Sequence, residues 1–234
     1  MEYQSLKYIY QPAGNDRPSA GAPAYTLLLL HGTGGDENDL IPLAKEFGTG
    51  FNILSLRGNV SEGGMPRFFR RLGMGIFDEK DLAFRTHEMV TFIRGLAARE
   101  GFDPTRIIAL GYSNGANIAG SALLLYPDFL AGAILYRPMQ PFKDIAAFRP
   151  EGAKGQEGPA AKTSRHTPVF LSNGTADPTI QAAAAKAYAS LLKDAGFDVS
   201  DHFLPAGHNL TQQDLQLSVG WFKNHFPKEQ PMCL

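Results

Sequence analysis

The sequence has little cysteine and almost no net charge. These two features argue against a disulfide-stabilised protein and against a basic protein that binds nucleic acid or anionic membranes. Its 234 residues include one cysteine, Cys233, so no internal disulfide framework can form. The formal net charge is -1, with 22 lysines and arginines against 23 aspartates and glutamates. No basic field for nucleic acid or an anionic membrane surface is therefore present. We expect neither nucleic acid nor a membrane among the partners of this protein.

Long apolar runs are missing as well. The longest candidate, Tyr25 to Leu30, has the length of a strand and not of a membrane-spanning helix. The first residues carry neither the basic nor the apolar region of a secretory signal peptide. The glycine patterns G-x-x-x-x-G-K-[ST] and G-x-G-x-x-G are also absent, which disfavours phosphate binding by the glycine-rich loop at 31–36. We expect a soluble, cytoplasmic protein.

The chain does contain enough apolar material for a large core. Apolar residues make up 44% of the sequence and charged residues 19%, and the length suits one α/β domain. Predicted strands and helices alternate from Tyr25 onward, so we predict a doubly wound, mostly parallel sheet with helices on both faces. We predict a single domain over residues 1–234, with a flexible insert at about 139–167 whose central part is poor in bulky apolar residues.

One strand–turn–helix junction points to chemistry. Residues 107–110 form a short apolar run, Gly111-Tyr-Ser-Asn-Gly115 turns the chain, and small residues predict a helix over 116–126. Serine between two glycines at such a junction is the pattern of a nucleophile elbow, whose strained turn presents the serine hydroxyl above the sheet. We predict that Ser113 is a nucleophile. The alternative is an ordinary junction in which Ser113 only caps the helix.

A serine nucleophile needs a base, and the base needs an orienting carboxylate. In the doubly wound hydrolase topology these follow the serine in the order acid, then histidine. Among the late histidines, His202 alternates within a strand and His225 lies near the end of the last helix. His208 lies in a loop flanked by Pro205 and Gly207, just after the carboxyl end of the last strand. His208 is therefore the predicted base.

The carboxylate is selected by the same reasoning. Asp177 follows closely on the carboxyl end of a buried strand at 167–172 and precedes the last helix–strand unit. Asp177 also belongs to an Asp-Pro turn suited to cap the helix predicted from Thr179, and both roles can coexist. We favour the catalytic role. The other aspartates lie in a turn, a variable loop, a helix end or the final strand: Asp128, Asp144, Asp194, Asp198 and Asp201.

The oxyanion of an acyl-transfer intermediate needs two N–H donors. One is expected from the residue after the nucleophile, Asn114. The other is expected from the glycine-rich loop after the first buried parallel strand, with Thr33 as the candidate.

The segment 57–78 is unusually long for a loop and is rich in glycine, phenylalanine and arginine. It follows the carboxyl end of a strand, where ligands bind in α/β sheets. We predict that it forms part of a substrate pocket wall; the alternative is a surface loop whose aromatic side chains merely dock it on the core. The candidate contacts are Phe68, Phe69, Phe77 and Met139 for apolar surface, and Arg70 for a polar or anionic substrate group.

These segments together resemble the α/β-hydrolase phospholipase/carboxylesterase family in order and spacing, from about Tyr25 to Phe226. The matching segments are LLLHGTGGD at 28–36, GYSNGA at 111–116, Gly174 with Asp177-Pro178, and Gly207-His208. Within the family, GMPRFFR at 64–70, FDE at 77–79 and YSNGAN at 112–117 look like the hydroquinone-resistance carboxylesterase branch. Acyl-protein thioesterases are more distant relatives. The polar insert between about Met139 and Thr167 looks longer than is usual in the branch.

The resemblance implies a function. It implies Ser113 as nucleophile, Asp177 as acid, His208 as base and the amides of Thr33 and Asn114 as oxyanion donors. It further implies hydrolysis of short-acyl or aromatic esters without metal or cofactor, and often a homodimer. We predict a serine carboxylesterase whose partner is a small-molecule ester. The alternatives are a thioesterase, lysophospholipase or peptidase on the same triad, and a non-catalytic ligand-binding protein on a hydrolase scaffold.

Overall fold

The computed structural model describes residues 2–14, 23–148 and 166–226. Within these residues seven strands form the central sheet: β1 (Tyr8–Gln11), β2 (Thr26–Leu30), β3 (Asn52–Leu56), β8 (Ile107–Tyr112), β9 (Gly132–Tyr136), β10 (Pro168–Gly174) and β11 (Asp198–Leu204). Four shorter strands precede β8: β4 (Val60–Glu62), β5 (Met65–Arg67), β6 (Arg71–Gly73) and β7 (Ile76–Phe77). The sheet order is β1-β3-β2-β8-β9-β10-β11, and only the β1–β3 pair is antiparallel.

Helices cover both faces of this sheet. They are α1 (Ile41–Ala44), α2 (Glu79–Glu100), α3 (Asn114–Leu125), α4 (Ala182–Asp194) and α5 (Gln212–His225), with 3-10 turns at Lys45–Phe47 and Ile145–Phe148. Buried residues of α2, α3 and α4 share one apolar cluster with one face of the sheet. The other face packs against α1 and α5. The predicted doubly wound, mostly parallel sheet with helices on both faces is confirmed.

The continuous apolar run of β2 shows why both faces are covered. Leu28 and Leu30 join the cluster beneath α2 and α3, whereas Leu27 and Leu29 join the cluster beneath α1 and α5. Side chains alternate along a strand, so a strand that is apolar at every position requires cover on both sides.

Three boundaries differ from those that the sequence predicts. The alternation of polar and apolar residues over 3–10 predicts a first strand from Tyr3, but the strand starts at Tyr8. The apolar spacing over 39–47 predicts one helix, but these residues form α1 and a 3-10 turn. Helix α4 starts at Ala182 instead of Thr179, because the Asp177 carboxylate accepts the amides of Thr179 and Ile180 in a turn before the helix. Of the flexible insert predicted at 139–167, residues 149–165 lie outside the described part of the chain, as does Cys233.

The segment 57–78 is folded where the sequence predicts a loop. It forms two short antiparallel hairpins, β4–β5 and β6–β7. At the first tip, Gly63 and Gly64 both have positive φ, 58° and 83°. A two-residue turn with two positive φ angles matches the twist of a hairpin, and glycine adopts it without strain.

Candidate active site

The elbow between β8 and α3 holds Ser113 in a strained conformation. Its φ is 51° and its ψ is -110°, and its amide donates to the carbonyl of Tyr136 at 2.9 Å. A Cβ on Gly111 would lie 2.6 Å from the carbonyl oxygen of Gly115, and one on Gly115 would lie 2.0 Å from that of Leu30. Both glycines are needed for this turn, because backbone atoms occupy the space of any side chain.

Three side chains from three loops meet above the elbow. The Oγ of Ser113 lies 2.9 Å from Nε2 of His208, and Nδ1 of His208 lies 2.7 Å from Oδ2 of Asp177. The neutral tautomer with its proton on Nδ1 satisfies both contacts, since it donates to the carboxylate and accepts from the hydroxyl. The carboxylate is buried and the imidazole is 28% exposed, so the base is accessible from the cleft while its partner is shielded.

The other oxygen of Asp177 has a structural role. Oδ1 accepts the amides of Thr179 at 2.7 Å and Ile180 at 3.2 Å. These bonds fix the carboxylate plane, so that Oδ2 is directed at the imidazole. The turn-capping and orienting positions of Asp177 therefore coexist, as the sequence suggested.

The histidine loop and the aspartate loop lie in direct contact. The amide of Ala176 donates to the carbonyl of Ala206 at 3.0 Å. A Cβ on Gly174 would come within 2.2 Å of the Ala206 carbonyl oxygen and 2.3 Å of that of Gly207. Glycine at 174 is thus what permits the close approach of the two loops.

Arg137, at the end of β9, holds the backbone on each side of His208. Its Nε donates to the carbonyl of Gly207 at 3.1 Å and its Nη2 to that of Asn209 at 2.9 Å. The carbonyl of His208 itself accepts from the hydroxyl of Tyr112 at 3.2 Å. Three successive carbonyls of the histidine loop are therefore fixed by side chains from neighbouring strands.

Arg137 is held in turn by Asp214 of α5. The two side chains are fully buried and form a bidentate pair at 2.7 and 2.8 Å. Burial opposes the charged carboxylate, but hydrogen bonds from Arg137, Ser172 and Thr211 outweigh it and lower the pKa of Asp214. The pair is therefore ionised at neutral pH and forms a rigid base for the histidine loop.

The loop after β2 is braced by the first hairpin. The amide of Gly34 donates to the carbonyl of Pro66 at 3.0 Å, and Nη1 of Arg67 donates to Oγ1 of Thr33. Asn114 is fixed from the same side, because its Oδ1 accepts the amide of Phe68 at 2.7 Å. The two proposed oxyanion residues thus lie beside Ser113 on a cleft wall that the hairpin supports.

His31 anchors this loop in its neutral form. Its Nδ1 contacts the carbonyl of Gly32 at 2.6 Å, and its Nε2 accepts the amide of Gly58 at 3.0 Å. Burial is the largest influence on the ring and lowers the pKa of His31 below 6.5. A proton on Nε2 would also remove the acceptor that Gly58 uses.

We expect the stability of the protein to fall as the pH drops below about 6.5, because unfolded His31 then binds a proton that the folded form resists. The decrease should end once the pH passes below the folded pKa. Urea unfolding at several pH values between 7.5 and 5.5 measures this decrease, and stability should depend less on pH in the His31→Gln variant. Some dependence should remain in the variant, because burial also lowers the pKa of His87. Equal slopes in the wild type and the variant would contradict this expectation.

The cleft in front of Ser113 has a volume of about 220 Å³. Two of the predicted pocket residues, Phe77 and Met139, line this cleft. The candidate catalytic and oxyanion residues that line it are Ser113, His208, Thr33 and Asn114. Its remaining lining residues are Arg67, Arg71, Met74, Gly75, Tyr112, Asn117, Arg137, Thr179 and Ile180.

Three predicted pocket residues lie elsewhere, which corrects their assignment. Phe68 and Phe69 are buried in the core, where Phe69 packs edge-on against Phe77 at 5.0 Å. Burial of these two rings anchors the hairpins to the sheet. For these two residues the alternative prediction, in which aromatic side chains dock the segment on the core, describes the structure better. The side chain of Arg70 is 57% exposed and lies 3.5 Å from both Asp78 and Asp81, outside the cleft.

Sequence reasoning overlooked Arg137 and the roles of Arg67 and Arg71. One feature of the sequence could have indicated Arg137. It directly follows a buried strand, and the candidate site residues lie at the carboxyl ends of the strands. For Arg67 and Arg71 only the local density of arginine was visible. Which arginine faces the cleft depends on the hairpin register, for which the sequence carries no clear pattern.

The sheet order and the serine elbow are those of an α/β hydrolase. The family model described as Phospholipase/Carboxylesterase matches residues 17–222, so the chain belongs to that family. MhqD of Bacillus subtilis (strain 168) is 40% identical over 218 residues, which are 93% of this chain and 98% of MhqD. Family and relatives make this protein a carboxylic ester hydrolase.

Solved structures agree with this placement. The Bacillus cereus carboxylesterase is 40% identical with a TM-score of 0.83, over 94% of this chain and 95% of that one. YahD with malic acid is 27% identical with a TM-score of 0.79, over 94% of this chain and 99% of that one. Among the described residues, no helix is both long and apolar enough to cross a membrane.

Proposed function

We propose that the protein is a serine carboxylesterase that hydrolyses small carboxylic esters, of short-acyl or aromatic type, through an acyl-enzyme. One observation carries the proposal: Ser113, His208 and Asp177 form a continuous chain of contacts at 2.9 and 2.7 Å in front of a cleft. A hydroxyl, a neutral imidazole and a shielded carboxylate in this order are the components of nucleophilic acyl transfer.

In the proposed reaction, His208 takes the hydroxyl proton as Ser113 Oγ attacks the ester carbonyl. The negative charge that develops on the carbonyl oxygen is held by the amides of Thr33 and Asn114. The tetrahedral intermediate expels the alcohol, which takes the proton back from His208. Water then attacks the acyl-serine by the same route, with His208 as base, and the carboxylic acid leaves.

The size of the cleft supports small esters over the lysophospholipase alternative. A volume of about 220 Å³ is below the range of roughly 300–1,000 Å³ typical of sites for drug-sized ligands. Phe77 and Met139 offer apolar surface of the kind that a short acyl chain or an aromatic ring contacts. The malic acid of the YahD structure is a carboxylic acid, the class of product that this reaction releases.

Covalent labelling tests the proposal directly. A fluorophosphonate should add one adduct per chain, seen by intact mass, and peptide mapping should place it on Ser113. His208→Ala should label far more slowly, since the hydroxyl then lacks its base. Adduct on another residue, or equal labelling of the His208→Ala variant, would contradict the serine mechanism. Matched ester, thioester and amide substrates separate esterase from thioesterase and peptidase activity.

A further inference from the structure

The cleft carries an excess of positive charge. Within the described chain its lining includes Arg67, Arg71 and Arg137 and no carboxylate. Arg137 is neutralised by Asp214 behind the wall. The other two arginines share the single carboxylate of Glu62, which accepts from Nε and Nη2 of Arg71 at 2.8 and 2.7 Å and lies 3.2 Å from Nε of Arg67.

Two other arginines of this chain lie next to a larger number of carboxylates. Arg57 contacts two carboxylates, those of Asp36 and Glu37. Arg85 similarly lies between Asp81 and Glu88. The two guanidinium groups at the cleft therefore differ from these in having one negative charge between them.

The two guanidinium groups are placed to face a ligand. Arg67 is 4% exposed, donates to Oγ1 of Thr33 and so lies against the proposed oxyanion loop. Arg71 is 24% exposed, and its Nη1 contacts the sulfur of Met74 at 3.0 Å. A thioether is a weak acceptor, so a carboxylate oxygen there would be a much better partner.

The direction of the pKa shift of Arg67 indicates that an additional negative charge nearby would be favourable. Burial is the largest influence that lowers the pKa of Arg67, and the positive charge of Arg71 lowers it further against the opposing effect of Glu62. Arginine stays protonated at neutral pH, so both positive charges persist in the cleft.

We propose that Arg71 binds a carboxylate carried by the ester substrate, and that the positive charge of Arg67 strengthens this binding. The enzyme would then prefer esters that bear a free carboxylate to neutral esters of the same shape. This inference rests on the proposed esterase function and deepens it, since it names the substrate class. It also moves the anionic contact that the sequence suggested for Arg70 to the next residue of the chain.

Two pairs of matched substrates test the inference and locate the charge. For the acyl side, monoethyl succinate is compared with ethyl succinamate, its neutral amide. For the alcohol side, 4-acetoxybenzoate is compared with 4-acetoxybenzamide. The readout is the ratio of kcat/KM for the charged ester to that for its neutral partner, with release of alcohol or phenol followed by chromatography. In the wild type we expect a ratio of about ten or more in one pair, the effect of roughly one charge-assisted hydrogen bond.

Three variants change this ratio in different directions. Arg71→Met should lower it by about tenfold, and Arg71→Lys should restore part of it because the charge remains. Glu62→Gln removes the competing carboxylate and should raise the ratio severalfold, a gain that loss of folding cannot imitate. Arg70→Met is the matched control, because Arg70 is the adjacent arginine outside the cleft, and its ratio should equal that of the wild type.

The outcomes separate this inference from the proposed function. Turnover that depends on Ser113, with ratios near one in both pairs, would overturn the carboxylate site and leave the esterase. Unchanged ratios in Arg71→Met and Glu62→Gln would overturn it equally. Absence of Ser113-dependent turnover for all four esters would remove the esterase proposal, and the carboxylate site with it.

Discussion

Replacement of Ser113 by alanine is expected to lower kcat/KM for small esters by roughly 10⁴- to 10⁶-fold. The variant loses the only atom that forms the acyl-enzyme in the proposed reaction, while the oxyanion amides and the cleft remain. Alanine at φ 51° is no better accommodated than serine, so the turn keeps its strain and the fold should persist. Steady-state kinetics together with thermal unfolding measure the two effects separately.

Ser121 provides the matched control on the same helix. It is fully buried, and its hydroxyl contacts that of Thr86 at 2.7 Å, on the side of α3 that faces α2. Ser121→Ala should lose some stability and keep its kcat/KM. The double variant Ser113→Ala with His208→Ala should be no slower than Ser113→Ala alone, because members of a catalytic unit are not additive. Ester turnover in Ser113→Ala at the wild-type rate would exclude the proposed mechanism.

The order of the chain was enough to predict which groups meet at the elbow. Ser113 and Asp177 each follow a strand that appears in the sequence as an apolar run, and His208 follows a strand whose residues alternate between polar and apolar. Parallel strands bring their carboxyl ends to one edge of the sheet, so the topology converts three local signals into one cluster. Within that cluster the contacts between these side chains measure 2.9 and 2.7 Å.

The pocket wall was harder to predict, because its geometry depends on pairing and not on periodicity. The hairpins of 57–78 have strands of two or three residues, too short to show a regular alternation. Aromatic residues in such a segment fit a pocket wall and a core anchor equally well. The structure places Phe68 and Phe69 in the core and Phe77 at the cleft, a distinction that arises only from packing against α2 and the sheet.

Arg137 was overlooked for a different reason. Its carboxylate partner, Asp214, lies 77 residues further along the chain and belongs to the first turn of α5. In the sequence, Asp214 is accounted for by a capping box with Thr211, and Arg137 by the end of a strand. Each residue has a sufficient local explanation, so nothing in the sequence indicates that they form one buried pair beneath the histidine loop.

Arg137→Met is expected to have the second large effect. It leaves the carboxylate of Asp214 buried without its cation, which costs about 3–5 kcal/mol of folding free energy. It also releases the carbonyls of Gly207 and Asn209 on either side of His208. We therefore expect kcat of the folded fraction to fall by roughly 10- to 100-fold, since small displacements of a catalytic group are costly. Urea unfolding gives the first quantity, and kinetics at a temperature where the variant is folded give the second.

The control must separate lost stability from lost positioning. Arg85→Met also removes a cation from buried carboxylates, those of Asp81 and Glu88, but on α2 away from the cleft. It should lose comparable stability with unchanged kcat, whereas Arg137→Met should change both. Arg137→Lys keeps the charge next to Asp214 without the planar fork that reaches two carbonyls, so it should recover more stability than kcat. If Arg137→Met and Arg85→Met kept the same kcat, Arg137 would serve the fold alone, and the histidine loop would hold His208 in place without it.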